Sequence, residues 1–524
     1  MDGKRINYIN AHQLRTHMGT PITIEELATF CKAKGFVYQS SELYGGMSGF
    51  FDFGPYGVEL LNNIKASWWK HFVHDQEFMT GMEGSIISHP RVWKASGHLE
   101  NFNDLALECS KCGNRIRADH LIQESLKLNV EGMPAAKINK IIEEHKLKCL
   151  HCKGAFKELK AVSLLFSTKV GSKEDSSAIA YLRGETAQGM FTDFKLIVDT
   201  TRQKLPFGIA QIGRCFRNEI APRDFVFRSR EFHIAEFEFF IHPEELKCSL
   251  LDDAHKKIIV QLLDAETQAQ DKDTLKKTTI GNMVKEKRLD EWHAYWLAEQ
   301  LQWMYGLGLP PDHLKVREHM KTELSHYSSA TFDIDYLYPF GSKEIAGNAN
   351  RGQYDLGQHA KESKEKLSIF DEESKQHVVP RVIEPTFGIE RVFLALLVEG
   401  YHDDKQRGNI VLKIKPSLAP MKTGVFPLVN KLDEKAREVF NTIRKEFVST
   451  YDKSGSIGRR YARADELGIP FCVTIDFDTL KDQTVTMRDR DTTKQVRISI
   501  KDLQDKLHAA ILGAPFDTLG KPIS

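Results

Sequence analysis

Hydrophobic and charged positions alternate through residues 213–240, GRCFRNEIAPRDFVFRSREFHIAEFEFF. The alternation predicts two strands joined by a polar turn around Pro222, because successive side chains of a strand point to opposite faces. The pattern places Arg217 and Glu219 on one face of the first strand. On one face of the second strand it places Arg228, Arg230, Phe232, Ile234, Glu236 and Glu238, and on the opposite face Phe227, Phe237 and Phe239. Arginines and carboxylates around one aromatic ring suit a charged planar ligand, and the alternative is the solvated face of an antiparallel sheet.

Helical periodicity is clearest before this hairpin and after it. Residues 22–40 begin as a helix that ends at Gly35, and a second helix begins at about Val58. The second helix has an apolar stripe of Leu60, Leu61, Ile64 and Trp68, which suits either a core helix or a subunit interface. Residues 243–325 are charged and low in glycine, and they predict an insertion that is mostly helical.

A later strand leads directly into a helix whose first turn contains a cation. The apolar run VVPRVIEPTFGIER stops at Glu384-Pro385, turns at Gly388 and continues as a helix with Arg391 near its start. The N-terminal end of a helix dipole is already positive, so an arginine there does not stabilise the helix. This mismatch indicates a position that needs a cation for an anionic ligand.

Composition indicates a globular protein of two or more domains. The chain has 524 residues, 41% of them hydrophobic and 28% charged, with a formal net charge of +1. Bulk charge therefore gives no sign of a nucleic-acid partner, and any basic surface must be local. No apolar run is long enough for a membrane span, and the N-terminal segment MDGKRINYINAHQLRT has no apolar core of a targeting signal. We expect a cytoplasmic protein without membrane contact.

Four of the eight cysteines form two Cys-x-x-Cys pairs, Cys109 with Cys112 and Cys149 with Cys152. Two such pairs in a reducing compartment predict a four-thiolate zinc site within an insertion at about 108–160. The alternative is two incidental pairs of reduced thiols, because 36 residues separate the pairs.

Two further segments carry candidate chemistry or a boundary. Arg183, Glu185, Thr186 and Gln188 cluster in RGETAQG, which is either an ordinary capped helix start or part of a site. KPSLAPMK, at 415–422, marks a domain boundary, and residues 423–524 alternate strand and helix as an α/β domain does.

The strings FDFGPYG, RGETAQG, FRNE with REF, KEIAGNANR and EPTFGIER occur in the order of the motifs of class II aminoacyl-tRNA synthetases. Together they resemble the glycyl-tRNA synthetase family of the homodimeric type over about Ile22 to Leu519. The resemblance implies an α+β catalytic domain at 1–422, built on an antiparallel six-stranded sheet with flanking helices and the two insertions. It also implies an anticodon-binding domain at 423–524 and a homodimer that uses the segment from Phe51 to Trp69.

The resemblance further implies an ATP-dependent attachment of glycine to tRNA(Gly) through glycyl adenylate, with Mg²⁺ bound to the ATP. Arg217 would hold the α-phosphate, Arg391 the γ-phosphate, and Glu344 would help to place magnesium. The implied ATP site comprises Arg217, Asn218, Glu219, Phe227, Arg228, Ser229, Arg230, Glu231, Phe232, Glu344, Ile345, Gly388, Ile389, Glu390 and Arg391. The implied glycine site comprises Arg117, Glu185, Phe232, His233, Ile234, Ala235, Glu236, Arg351, Glu384, Pro385, Thr386, Phe387 and Gly388.

Two departures from the family pattern and two rival functions accompany this hypothesis. Gly184 stands where the family usually has proline, and Thr386 where it usually has serine, and neither change removes a charge or a hydroxyl. One rival is an inactive binding protein on the same scaffold, which would lack the ATP-binding residues that are present here. The other is a synthetase for another amino acid, such as proline, threonine or histidine. Three carboxylates, Glu185, Glu236 and Glu384, favour an ammonium group with no side chain beside it.

Overall fold

A computed structural model of the chain describes residues 22–126, 128, 130, 133–172, 178–270, 272–325 and 328–523. The N-terminal segment MDGKRINYINAHQLRT lies outside the described residues. No helix of the described part is long and apolar enough to cross a membrane.

The helices are numbered in chain order. They are α1 Ile24–Ala33, α2 Pro55–Trp69, α3 Pro90–Ala95, α4 His98–Asn101, α5 Ala118–Leu126, α6 Ala135–Glu144, α7 Ala187–Thr201, α8 Asp253–Lys257, α9 Ala265–Gln268, α10 Ile280–Lys285, α11 Glu291–Leu307, α12 Tyr354–Ser363, α13 Ile389–Gly400, α14 Asp433–Ile443, α15 Ile457–Glu466, α16 Thr479–Asp482 and α17 Leu503–Ile511. The two helices predicted first are confirmed: α1 precedes Gly35, whose φ is 76°, and the stripe of α2 is buried.

The strands are also numbered in chain order. They are β1 Val37–Gln39, β2 Phe51–Phe53, β3 Met79–Gly81, β4 Ile87–Ser88, β5 Asn103–Glu108, β6 Arg115–Arg117, β7 Lys160–Ser163, β8 Ser167–Lys169, β9 Ile179–Leu182, β10 Phe207–Phe216, β11 Glu231–Ile241, β12 Ile259–Leu263, β13 Lys276–Thr279, β14 Leu314–Glu318, β15 Ala330–Tyr338, β16 Gly341–Gly352, β17 Ile369–Asp371, β18 Gln376–Val378, β19 Arg381–Gly388, β20 Tyr401–Asp404, β21 Asn409–Leu412, β22 Thr423–Pro427, β23 Ser449–Tyr451, β24 Phe471–Ile475, β25 Thr484–Asp489, β26 Gln495–Ser499 and β27 Lys521–Ile523.

The main sheet of the described chain has nine strands in the order β13-β12-β14-β15-β16-β19-β11-β10-β3. The run from β14 to β10 is antiparallel throughout, whereas β3 and β12 each join it in parallel. The sheet is therefore larger than the expected six strands and is mixed. Parallel pairing needs a long crossover, and the connection from β12 to β14 supplies one through α11.

The prediction that residues 243–325 are mostly helical was only half right. The segment contains β12, β13 and β14, which extend the main sheet, beside α8 to α11. Strands of four or five residues contain too few alternating positions to be told from a helical stripe. Residues 314–318 are extended because they pair with β15, and this pairing buries Leu314 and Val316.

An aromatic core covers one face of the main sheet, and the other face carries polar side chains beside a second apolar cluster that includes Phe207, Ile209 and Phe240. Phe237 and Phe239 of β11 pack on Trp296 of α11, with ring centroids 4.7 and 4.8 Å apart. Trp68 of α2 packs on the same layer at Phe237 and Phe387. The functional side chains considered below therefore stand on a rigid, close-packed support.

The C-terminal unit has a hydrophobic core of its own. Strands β22 to β27 form a mixed sheet in the order β23-β22-β24-β25-β26-β27. Its buried apolar residues run from Val425 to Leu519 and form a cluster separate from the core of the main sheet. A domain needs such a core to fold as a unit.

Candidate active site

The polar face of β11 forms the floor of the candidate site. Phe232, Ile234, Glu236 and Glu238 alternate with the core-facing residues, as the sequence pattern predicts. Glu236 lies opposite Gln211 of β10 and opposite Thr386 of β19. Side chains from three strands therefore converge around one carboxylate.

The faces predicted for Arg217, Glu219, Arg228 and Arg230 were wrong, because these residues lie outside the strands. β10 ends at Phe216 and β11 begins at Glu231, so all four belong to the connecting loop. The loop contains two successive residues with left-handed backbone, at φ 58° and 56°, which a strand cannot accommodate. Its two ends remain paired, since Arg217 N–H donates to Arg230 C=O at 2.9 Å.

Arg217 lies between two aromatic rings at the start of this loop. Its guanidinium carbon is 5.3 Å from the ring centre of Phe102 and 5.5 Å from that of Phe232. Its Nε donates to Gly184 C=O at 3.0 Å. Stacking and this hydrogen bond fix the plane of the guanidinium, which presents parallel donors to an anion.

Glu219 is held by the arginines of the same loop. Arg228 Nε donates to Glu219 Oε2 at 2.8 Å, and Arg230 Nε donates to Glu219 C=O at 3.0 Å. Arg230 also donates to Ser48 C=O at 2.7 Å. The remaining loop residues of the predicted ATP site also contact protein: Asn218 N–H donates to Leu164 C=O, Ser229 Oγ donates to Glu231 C=O, and Glu231 pairs with Arg214.

Arg391 lies in the first turn of α13, at the edge of the same floor. Its Nη1 is 3.1 Å from Glu344 Oε1 and donates to Glu344 C=O at 2.9 Å. Its guanidinium stacks over Phe227 at 4.6 Å. The next residue back, Glu390, accepts from His233 N–H and Nδ1 at 2.8 and 2.6 Å, which ties α13 to β11. Ile345 and Ile389 are fully buried in the core.

Glu236 is the centre of the other end of the site. Its Oε2 accepts from the Thr186 hydroxyl at 2.6 Å and from Thr186 N–H at 3.2 Å. Its Oε1 accepts from the Thr386 hydroxyl at 2.8 Å. The RGETAQG segment thus belongs to the site and is more than a helix start, although Thr186 makes no side-chain cap to α7.

Glu185 is occupied by neighbours on both carboxylate oxygens. Gln188 Nε2 donates to its Oε1 at 3.0 Å, and His98 Nε2 lies 3.1 Å from its Oε2. His98 Nδ1 is in turn 2.8 Å from Ser96 Oγ. Burial alone would raise the pKa of Glu185, but the charges of His98 and Arg351 and the bonds from His98 and Gln188 outweigh it, and the pKa is lowered.

Glu384, in the middle of β19, forms a buried ion pair with Arg351 of β16. Arg351 Nη1 donates to Glu384 Oε1 at 2.6 Å, and the same guanidinium makes a bidentate contact to Asp355 at 2.7 and 2.8 Å. Carboxylate oxygens of Glu236, Glu238 and Glu384 all lie within 4.8 Å of one another. Burial, and then the neighbouring carboxylates, raise the pKa values of Glu236 and Glu238.

The four paired cysteines meet in the module formed by β5 to β7 with α5 and α6. Cys109 Sγ lies 3.4 Å from Cys152 Sγ, and Cys112 Sγ lies 3.8 Å from Cys149 Sγ. Tetrahedral zinc with bonds of about 2.3 Å places its sulfurs roughly 3.8 Å apart, whereas a disulfide is about 2.05 Å long. Hydrogen bonds from the backbone N–H groups of Cys112 and Lys111 lower the pKa of the Cys109 thiol to about 6. The donor set and its spacing therefore fit zinc.

Comparisons with known proteins agree over almost the whole chain. The chain is 41% identical over 503 residues to the glycine–tRNA ligase of Caldanaerobacter subterraneus subsp. tengcongensis, an alignment that covers 94% of this chain and all of that protein. It is also 41% identical to the glycine–tRNA ligase of Geobacillus thermodenitrificans, over 92% of this chain and 96% of the relative. The chain belongs to the glycine–tRNA ligase family. Residues 422–510 also match the HGTP anticodon binding domain.

Not every residue that the family resemblance suggests for glycine lies with the carboxylates. Arg117 lies nearer the Glu219 end, where it pairs with Asp104 at 3.0 Å and Asp119 at 2.7 Å. Ala235 and Phe387 are part of the core beneath the sheet, and Ile234 is 4% exposed. β19 continues past the predicted stop at Glu384-Pro385 to Gly388, because Pro385 and Thr386 remain paired with β16. Gly388 forms the junction with α13.

The candidate site also contains residues that the sequence analysis does not include. Alternation places Glu238 on the right face, but the glycine site implied by the family resemblance does not include it. His98 is the first residue of the short helix α4 and carries no motif, so only the fold brings it to Glu185. Asp355 contacts Arg351 because β16 leads straight into α12.

Proposed function

We propose that this protein attaches glycine to tRNA(Gly) in an ATP-dependent reaction through a glycyl-adenylate intermediate. The observation that carries the proposal is one polar sheet face with two different ends. An aromatic–arginine end, Phe232 with Arg217, suits a nucleotide. A carboxylate–threonine end, centred on Glu236, suits a small ammonium compound. The two lie four residues apart on one strand, about 13 Å.

In the first step, a carboxylate oxygen of glycine attacks the α-phosphorus of ATP, and the bond to pyrophosphate breaks. The protein forms no covalent bond in this step. It positions the reactants and neutralises the phosphate charge. Arg217 takes the α-phosphate, and its fixed plane supports this role. Arg391 takes the γ-phosphate at the start of α13.

The adenine ring stacks on Phe232, and Glu219 accepts from the adenine amino group. Arg228 and Arg230 hold Glu219 in a single position, which supports this assignment. Glu344, half exposed beside Arg391, is the carboxylate that would help to hold Mg²⁺ with the phosphates. Bound Mg²⁺ offsets the negative charge of the triphosphate.

In the second step, a terminal ribose hydroxyl of the tRNA attacks the glycyl carbonyl, and AMP leaves. The C-terminal unit at 423–524 would bind the anticodon, and the match at residues 422–510 supports that role. The glycine ammonium is held at Glu236 and Glu384, and Thr386 limits the space beside the α-carbon. These features support a site for glycine rather than for a larger amino acid.

We further propose a cytoplasmic homodimer of the family's homodimeric type with one zinc ion per chain at Cys109, Cys112, Cys149 and Cys152. The sulfur spacing supports the metal. A groove of about 580 Å³ beside α2, whose lining includes Trp69, Ile212 and the ion pair of Lys70 with Asp75, supports an interface at the segment from Phe51 to Trp69.

The test is ATP–pyrophosphate exchange measured with each of the twenty amino acids. We expect exchange that depends on glycine, followed by charging of tRNA(Gly) when that tRNA is added. Exchange that depends on a different amino acid would show that this amino acid, and not glycine, is the substrate. Absence of exchange with every amino acid, in folded protein that still binds tRNA, would favour the inactive binding scaffold.

A further inference from the structure

One row of residues runs straight across the main sheet through the glycine end of the candidate site. Each residue is the register partner of the next, and the row consists of Gln211 on β10, Glu236 on β11, Thr386 on β19, Gly347 on β16, Asp333 on β15 and Arg317 on β14. Phe332 and Ile334 lie in the aromatic core, so Asp333 between them faces the polar side of the sheet. The last three members of the row therefore extend the polar floor beyond Thr386 and have no role in the function proposed above.

Gly347 leaves a gap in this row. Its φ is outside the left-handed region, so the backbone conformation does not require a glycine. Among the described residues, a Cβ added at Gly347 would have only Asp333 Oδ1 within contact distance, at 3.8 Å. Gly347 and Thr386 are both partly exposed. The floor is therefore open between Thr386 and Asp333, which lie two strands or about 10 Å apart.

Asp333 forms the far side of the gap over Gly347 and faces it with an unused oxygen. Arg317 Nη2 donates to Asp333 Oδ2 at 2.5 Å, and His319 Nε2 lies 2.7 Å from the same oxygen. All the side-chain hydrogen bonds and ion pairs that Asp333 makes with described residues use Oδ2, whereas Oδ1 is the oxygen nearest the gap. A buried acceptor beside an open floor suits a ligand that brings an N–H or O–H donor.

The charges around Asp333 favour a neutral ligand group over a phosphate. Burial alone would raise the pKa of Asp333, but His319 and Arg317 outweigh it and lower that pKa, so the group is a carboxylate. Arg317 is also 3.3 Å from Glu323, so two carboxylates neutralise its charge. The gap therefore offers an acceptor at its far end without an uncompensated cation.

The direction of the gap indicates which substrate would occupy it. ATP and glycine, as proposed above, lie along β11 from Phe232 to Glu236, whereas the gap crosses the strands on the other side of Thr386. The second step needs a third group beside the glycyl carbonyl, because a terminal ribose hydroxyl of the tRNA attacks there. The terminal nucleoside of a tRNA is an adenosine, which has its ribose hydroxyls at one end and an amino group at the other.

We propose that the gap over Gly347 binds the terminal adenosine of the tRNA, with its ribose towards Thr386 and its adenine amino group donating to Asp333 Oδ1. Arg317 and His319 are then positioning residues, which hold Asp333 through its other oxygen. The inference rests on the proposed function, because it concerns the group that accepts glycine in the second step.

The first experiment compares complete tRNA(Gly) with the same tRNA shortened by its terminal adenosine. Binding of each tRNA to the wild-type protein and to Asp333→Asn is measured by fluorescence anisotropy at one salt concentration. We expect the wild-type protein to bind the complete tRNA about tenfold or more tightly than the shortened one, because the adenosine donates to a charged acceptor. Asp333→Asn should lose this preference and bind the shortened tRNA as the wild type does. The same preference in both proteins would overturn the proposal.

The second experiment fills the gap and leaves Asp333 in place. In Gly347→Val the Cβ has room, and the two methyl groups would occupy the space proposed for the adenosine. Transfer of glycine from preformed glycyl adenylate to tRNA is measured in a single turnover, and exchange is measured without tRNA. We expect transfer to slow by about tenfold or more because the ribose is displaced, with exchange unchanged.

Two variants serve as matched controls. Gly306→Ala changes a glycine whose added Cβ has no described atom within 4 Å, and Asp264→Asn changes a buried aspartate held by Lys276 and Arg288. Both should keep the wild-type transfer rate and the preference for complete tRNA. Unchanged transfer in Gly347→Val would overturn the proposal, whether or not Asp333→Asn folds. An equal fall in exchange and transfer would also overturn it, since the gap would then belong to glycine or ATP.

These outcomes are separable from those of the proposed function. Failure of the function is loss of glycine-dependent exchange in the wild-type protein. Failure of the present inference is normal exchange and charging in the wild type, with a preference for complete tRNA that Asp333→Asn does not remove or a transfer rate that Gly347→Val does not lower.

Discussion

At the scale of single residues, Arg217 brings a fixed positive charge to the nucleotide end of the site. Arg217→Ala removes a phosphate donor whose plane is set by Phe102, Phe232 and Gly184. We expect glycine-dependent exchange to fall by roughly 10²- to 10³-fold, which corresponds to about 3 to 4 kcal/mol in the transition state. Arg437→Ala is the matched control, because Arg437 stacks on Tyr451 far from the site. Exchange at the wild-type rate in Arg217→Ala would refute the catalytic role.

His98 acts on the site through Glu185. In His98→Phe the ring can still pack against Trp93 and Phe102, but the contact to Glu185 is lost. The lowered pKa of Glu185 should then rise, so Glu185 becomes protonated at a higher pH. We expect the acid limb of the pH profile of kcat/KM for glycine to move to higher pH. His402→Phe is the control. If the acid limb does not move in His98→Phe, His98 contributes only packing against its neighbours.

Thr386 places both a hydroxyl and a methyl group beside Glu236. The hydroxyl donates to Glu236 at 2.8 Å, and the methyl would fill the space that a substrate Cβ needs. Removal of a one-methyl barrier is worth about 1 to 3 kcal/mol of discrimination. We expect Thr386→Gly and Thr386→Ser both to raise exchange with alanine relative to glycine, with glycine activity better kept in the serine variant. Unchanged selectivity in both variants would place the steric wall elsewhere.

At the scale of elements, the cysteine module tests whether four thiolates act together. If zinc is bound, Cys109→Ser should reduce the metal content from about one per chain to well below one, because a structural site rarely tolerates loss of a thiolate. Cys248→Ser, at a buried cysteine outside the module, should keep the metal. Elemental analysis of protein purified without chelators makes the comparison. No zinc in the wild type would favour two pairs of reduced thiols.

Elements with long, regular patterns could be predicted, and short or loop-borne features could not. The stripe of α2 and the alternation of β11 contain enough positions to fix type and face. The strands β12 to β14 were missed because sheet pairing, not local pattern, decides them. The motif groups Arg217 and Glu219, and the structure places both in one loop, but the predicted strand faces were wrong because β10 ends at Phe216. His98, one partner of Glu185, comes from a distant segment that no local signal joins to it.

At the scale of the whole molecule, a buried polar network joins the main-sheet unit to the C-terminal unit. Arg407, in the turn between β20 and β21, donates to Arg490 C=O at 2.7 Å and to Asp465 at 3.2 Å. Asp465 also receives a bidentate contact from Arg488 at 2.8 and 3.0 Å. Lys34 pairs with Glu466 at 2.6 Å on the same side. These contacts tie the C-terminal unit to the main-sheet unit.

That arrangement matters for tRNA and not for adenylate formation, because only tRNA would contact both units. Arg407→Ala should therefore spare glycine-dependent exchange but lower kcat/KM for tRNA charging by roughly twofold to thirtyfold. Lys405→Ala is the control, since Lys405 lies in the same turn with its side chain 84% exposed. The two reactions are measured on the same preparations at several salt concentrations, because phosphate contacts weaken as salt rises. An equal fall in exchange and charging would show instead that the network supports the catalytic unit itself.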